Sequence, residues 1–398
     1  MSIIKTSKML VLATMILFFA VALLGCGSGA PAGGESGESG ESQEPIKIGL
    51  VQPLSGGSAY DGQNVTNGFN LAAEEINQAG GLLGGRPIKV LVEDTATDPA
   101  TGVAAAVKLI TKENICALGG AFNSSVTGAV AAEAEKNGTP MITGISTSPT
   151  LTEQGYQYFF RMNGTSVLFA KAFAKKIVKD LDVKRIAFIY ENGDWGRNSV
   201  LAFSDAIKEL GGTILTEQVI NPGETDITSQ MTAIKNENPD AIYAVANTAY
   251  AILITNTAAE LNITPDVKLF GEGAWTSEEY MKNTANNNEG IYAVVEYMTE
   301  IDNDINKKFV EAYQAKYNTL PDKYGAAGYR MMKNFALAIE KANSTDPDAI
   351  RDALCANPIE TFVGTYTYDE NGQAHGFNMY LARIENGVPT LSVVAPVE

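Results

Sequence analysis

Residues 115–136 read ICALGGAFNSSVTGAVAAEAEK. An apolar run leads into Asn123, Ser124 and Ser125, and a helix-like run leads out. A strand, a small polar loop and a helix mouth in that order make one βα unit. Such a mouth presents unpaired N–H groups and the positive end of the helix dipole, which suits an anion. It is not a nucleotide loop, because it has no Lys and neither GxxxxGK[ST] nor GxGxxG spacing. The plainer alternative is that Ser124 or Ser125 only caps the helix. The stretch alone leaves both open.

Working outward, the same unit repeats. IKIGLVQP, IKVLVED and PMITGIS are short, apolar and rich in β-branched residues. Between them, Val65, Phe69, Ala72, Ala73 and Ile76 mark one face of a helix, and Val103, Val107 and Ile110 mark another. A second set runs RIAFIYEN, TILTEQVI, AIYAVANT, VKLFGEG and GIYAVVEY. The apolar helix FALAIEKA and the β-rich stretch TYTYDENGQAHGFNMYLARIENG close the chain. Repeated βα units predict parallel sheets with helices on both faces, here as two lobes. Ligands in such sheets sit beyond the carboxyl ends of the strands. GAFNSS, GISTSPT (144–150), ENGDWG (191–196), ANTAY (246–250) and GEGAW (271–275) fall there, although turn chemistry alone also places Ser and Thr at strand ends.

The ends and the bulk numbers limit the function. Lys5 and Lys8 precede an apolar run of about 16 residues that ends Leu23-Leu24-Gly25-Cys26. A permanent span needs roughly 20 residues, so 1–25 is expected to be a cleaved leader. Cys26 after a small residue resembles a bacterial lipobox, with Cys26 lipidated and anchored in a membrane. Residues 26–45 are Gly, Ser and Glu-rich, a self-repelling tether. The formal charge is −17, and losing Lys5 and Lys8 with the leader makes it −19. A nucleic-acid partner is therefore not expected. Cys116 and Cys355 are left as either a pair or free thiols. His375 is the only histidine, in the glycine-flanked stretch GQAHGFN, where a solvated turn is expected. A Ser–His–Asp or Cys–His site would depend on it alone. Two-carboxylate hydrolysis stays formally open, but no enzyme, cofactor or metal site is expected. DNDIN (302–306) lacks the glycine and terminal Glu of an EF-hand loop and is expected to be a solvated loop.

Several long stretches together resemble one family. They are IKIGLVQPLSG, GFNLAAEEINQAGGLLGGRPIKVLVEDTATDP and GGAFNSSVTGAVAAEAEKNGTPMITGISTSPTLT, followed in order by IAFIYENGDWGRN, NPDAIYAVANTAY, LFGEGAW, YGAAGYRMM and FVGTYTYDENGQ. Over about residues 46–395 the chain resembles the branched-chain amino-acid (Leu/Ile/Val-type) substrate-binding proteins of ABC transporters, which have the type I periplasmic-binding-protein fold. The resemblance implies an α/β fold of two doubly wound parallel-sheet lobes joined by a three-segment hinge. It implies crossings near Arg161–Gly164, Val295–Glu296 and Gly364–Thr367. The lobes expected are 46–162 plus 296–365, and 163–295 plus 366–398.

The resemblance also implies roles. Asn123 and Ser124, with the first N–H groups of the helix, receive the α-carboxylate of a free amino acid. Ile145 offers its carbonyl to the ammonium, and Ser146 and Thr147 use hydroxyl or N–H. Trp195 covers the ligand from the second lobe, and Tyr324 lines the side-chain pocket. Tyr60 lies beside the family's first aromatic contact, with Asp61 in the aligned place. Asn247 and Thr248 stand where a Tyr is common. Glu272 is the first candidate for the ammonium, although alignment on Trp275 puts Gly273 in the acid's place; Asp61 and Asp194 are the others. With none of them there, an amide or another small solute is implied. The expected role is an extracytoplasmic, membrane-anchored lipoprotein, a monomer, that captures a small amino acid and delivers it to membrane permease subunits. A stand-alone ligand-sensing subunit is the alternative.

Overall fold

The computed structural model describes residues 43–396. The expected leader, the lipidation candidate Cys26 and the tether up to residue 42 lie outside the described residues. Gln43 and Glu44 already touch the body, through Gly84 O and the Arg86 side chain.

The first lobe opens with β1 (Ile46–Gln52), α1 (Ala59–Gln78), β2 (Ile88–Asp94) and α2 (Pro99–Thr111). It continues with β3 (Ala117–Gly120), α3 (Ser124–Lys136), β4 (Met141–Thr143) and β5 (Phe159–Arg161). The strands form a parallel sheet in the order β2-β1-β3-β4-β5. The second lobe follows with α4 (Ser166–Lys175), β6 (Arg185–Glu191), α5 (Asp194–Glu209), β7 (Thr213–Ile220) and α6 (Thr228–Asn236). Then come β8 (Ala241–Val245), α7 (Thr248–Glu260), β9 (Lys268–Glu272), α8 (Glu278–Asn283) and β10 (Tyr292–Val295). Strands β7-β6-β8-β9-β10 run parallel. The chain returns toward α1 as α9 (Asp304–Tyr317), α10 (Lys323–Ala342) and α11 (Pro347–Ala356). It closes with β11 (Ile359–Thr361), β12 (Gly364–Tyr368), β13 (Ala374–Glu385) and β14 (Val388–Pro396), antiparallel strands that extend the second sheet from β10.

The apolar periodicity of α1 does what its spacing predicts. Val65, Phe69 and Ala72 are fully buried, and burying one such aromatic ring contributes about 2 kcal/mol. Helix α10 packs along α1 at glycine contacts. A Cβ on Gly68 would stand 1.8 Å from Gly325 O, and one on Gly328 would stand 1.9 Å from Val65 O. Asp322 caps α10, accepting from the Tyr324 and Gly325 N–H groups at 2.9 Å, and from Asn64 at 2.8 Å.

Three local expectations need correction. Helix α2 buries Gly102, Ala105, Ala106 and Leu109, while Val103, Val107 and Ile110 are only half-buried. Small residues win that face because α3 comes close, with Val126 2.6 Å from where a Gly102 Cβ would be. DNDIN is not a loop throughout, since Asn303 caps α9 through the Asn306 N–H. His375 is in strand β13 opposite Thr367, with Asp369 Oδ2 at 3.1 Å. Cys116, buried, and Cys355, exposed, are both free thiols.

Residues at the first two expected crossings, and Gln373 beyond the third, are hydrogen-bonded to one another. Arg161 is fully buried, and it donates to Gln373 Oε1 at 2.6 Å, Ser148 O at 2.5 Å and Thr152 Oγ1 at 2.6 Å. Burial pulls its guanidinium down to about 9. Gln373 donates in turn to Asn163 O at 2.9 Å, and the Gly164 N–H donates to Glu296 Oε1 at 3.1 Å.

Candidate functional site

A narrow pocket lies between the lobes at the carboxyl ends of their strands. Phe122, Asn123, Ser124, Ile145, Ser146 and Thr147 form its first-lobe wall, with Lys323 and Tyr324 from α10; Trp195 and Asn247 form the second-lobe wall. Eight residues expected from the sequence thus meet in one place, joined by Phe122 and Lys323. The free space is about 20 Å³, on the order of a single water. Direct contacts between the lobes hold it small. Tyr324 OH donates to Asn247 Oδ1 at 3.0 Å, Asn198 donates to Ser148 Oγ at 3.0 Å, and Thr248 Oγ1 donates to Asp61 Oδ1 at 2.6 Å.

The α3 end of the pocket is built from backbone. Asn123 precedes α3 in extended conformation and its side chain caps nothing. The first α3 N–H groups therefore have no partner within the helix. Ser124 Oγ accepts only a long 3.4 Å contact from the Ser148 N–H. The hydroxyls on the neighbouring loop have structural partners. Ser146 Oγ bonds Thr127 Oγ1 at 2.6 Å and Phe122 O at 3.0 Å, and Thr147 Oγ1 meets Ser166 Oγ at 3.1 Å. Lys323 holds its ammonium 5.0 Å from the centre of the Tyr324 ring.

The second-lobe wall rests on carboxyls. Trp195 Nε1 donates to Glu272 Oε1 at 2.8 Å. Ser199 reaches the same oxygen at 2.9 Å, and Tyr243 OH reaches Oε2 at 3.1 Å. Glu272 is thus buried behind Trp195 and is not on the pocket wall. Burial pushes its carboxyl up against these hydrogen bonds. Trp275, on which an alignment would turn, is a core residue stacked on Gly271. The Asn247 N–H and side-chain amide both donate to Glu191. Burial pushes Glu191 up to about 7 and Asp61 up to about 8.

The other candidates lie apart from this pocket. Tyr60 is 40% exposed and does not line it. Asp194 pairs with Arg197 at 2.9 Å. Two larger hollows, about 510 and 490 Å³, lie at the amino ends of β1 and β3 and beside β5, away from the strand-end loops. No group of three metal-ligating side chains occurs among the described residues. No helix among them is long and apolar enough to cross a membrane. Sequence reading missed Lys323, one residue before the quoted YGAAGYRMM, and Glu191, which opens the quoted ENGDWG. Both stood beside recognised motifs, but only the fold turns them toward the cleft.

Comparison with known proteins agrees with this layout. Residues 45–388 match the model of a family described as periplasmic binding protein. The Leu/Ile/Val-binding protein homolog 3 of Brucella melitensis is 30% identical, over 82% of this chain and 88% of that one. A substrate-binding protein of a branched-chain amino-acid transporter from Streptococcus pneumoniae, solved with isoleucine, superposes with TM-score 0.81. It is 26% identical, and the match covers 89% of this chain and 99% of that one. An ABC-transporter solute-binding protein of R. palustris, solved with benzoate, has TM-score 0.82 at 22% identity, covering 89% and 97%.

Proposed function

The chain belongs to the periplasmic binding protein family, in its Leu/Ile/Val-binding group, and on that premise we propose that it captures one small amino acid between its lobes for a membrane permease. The observation that carries the ligand class is the uncapped mouth of α3, where Asn123 and Ser124 line a pocket walled by both lobes. A carboxylate there accepts charge-assisted hydrogen bonds. Lys323 adds positive charge to the same pocket. The aromatic rings of Phe122, Trp195 and Tyr324 supply apolar wall for a compact side chain.

The protein works by closure rather than by catalysis. Contacts from both lobes to one solute favour the shut form in proportion to their differential free energy. Lipidation at Cys26 and a tether from 26 to 45 place the body on the outer face of a bacterial membrane, as a monomer within reach of its permease. Calorimetry against the twenty amino acids and small amides tests the ligand class. Saturable binding of an amino acid, weakened when Trp195 is removed, is the expected result. Silence across the whole set overturns it. Radiolabelled palmitate incorporation that survives Cys26→Ala overturns the anchor.

A further inference from the structure

The two carboxyls nearest the cleft have different work to do. Glu272 has both oxygens occupied, by Trp195 and Ser199 on one side and Tyr243 on the other, and Lys323 already offsets its charge. Glu191, at the carboxyl end of β6, accepts only from Asn247. It lines a cavity of about 330 Å³ that adjoins the ligand pocket and shares Asn123 and Asn247 with it.

On that shared boundary Asn123 Oδ1 is buried with no hydrogen-bond partner, and Thr97 Oγ1 on the cavity wall is in the same condition. An acceptor left so costs about 1–3 kcal/mol. The Asn123 carbonyl oxygen on the shared boundary therefore lacks a donor.

We propose that Glu191 and Asn123 Oδ1 form the subsite for the ligand's ammonium, in place of Glu272, so that the ligand spans the boundary between pocket and cavity. This rests on the carboxylate reading of the α3 mouth given above. The carboxylate meets the α3 N–H groups, and the amino group meets Glu191 and the Asn123 carbonyl. An acid without an amino group leaves Glu191 unpaired, which makes the site selective for zwitterions. Asp61 remains pinned to Thr248 at the edge of this arrangement.

The test is calorimetry of the full mature chain with each amino acid against the same acid carrying hydrogen in place of the amino group. The wild type is expected to prefer the amino acid. Glu191→Gln should cut that preference about thirtyfold or more, with Glu191→Asp recovering part of it. Glu272→Gln should weaken both compounds alike, through Trp195, and leave the preference intact. The reverse pattern, preference lost in Glu272→Gln and kept in Glu191→Gln, overturns the assignment. Wild-type binding confined to the deaminated acids overturns it too, while leaving the carboxylate reading in place. Silence toward both halves of the set removes both proposals. Melting curves of each variant separate lost folding from lost recognition.

Discussion

The two walls of the cleft are made differently. Where α3 begins, the first-lobe wall is main chain and small polar residues carried on the ends of β3 and β4, flanked by the Phe122, Ile145 and Tyr324 side chains. The second-lobe wall is side chain, a Trp195 held by the buried Glu272 and an Asn247 held by Glu191. A backbone wall is fixed by the fold and reads only charge and hydrogen bonding. A side-chain wall depends on supports elsewhere in the sequence, so single substitutions can retune it.

The sharpest way to break this contrast is to put charge on the backbone wall. Ser124→Asp is expected to cut amino-acid affinity about hundredfold or more, by like-charge repulsion in a desolvated site, with circular dichroism unchanged. If affinity survives, the α3 mouth is not the anion end. Next, Trp195→Ala removes the cover from the second lobe. It should cost about thirtyfold in affinity and leave ligand-dependent compaction in X-ray scattering much reduced.

Gly271→Ala probes the support layer without touching the pocket. Its methyl group would fall 1.9 Å from the Trp275 ring. Overpacking of this kind costs about 1–3 kcal/mol, readable as a lower denaturation midpoint, with affinity per folded molecule little altered. The smallest effect is with pH. Asp61, up to about 8 from 3.8, and Glu191, up to about 7 from 4.5, hold protons in the folded chain that the unfolded chain releases. Stability is then greatest near pH 4 and declines as pH rises toward about 8. Asp61→Asn should flatten that decline in melts run across the range.

Much of this was legible in the chain because it is local. The strand-end stretches carrying Asn123, Ile145, Trp195 and Asn247 each announce themselves within about a dozen residues, and the α1 face reads directly from Val65, Phe69 and Ala72. What was not legible depends on pairs far apart. Glu272 meets Trp195 across 77 positions and Glu191 meets Asn247 across 56. No short-range pattern says that the first carboxyl is hidden behind an indole while the second faces a cavity. The α2 face was misread because its contacts run through Gly102, Ala105 and Ala106, which a search for large apolar residues passes over. The three-residue β5 and β11 are strands only because their neighbours pair with them.

The ties between the crossing segments have a mechanical meaning. Arg161 to Gln373, Gln373 to Asn163 and Gly164 to Glu296 lash the connectors side by side. Parallel straps fastened along one line resist twist and sideways slip far better than they resist folding. We expect such a joint, acting as the hinge that the family resemblance implies, to leave the halves essentially one angular coordinate and to bring the same two surfaces back into the same register at every closure.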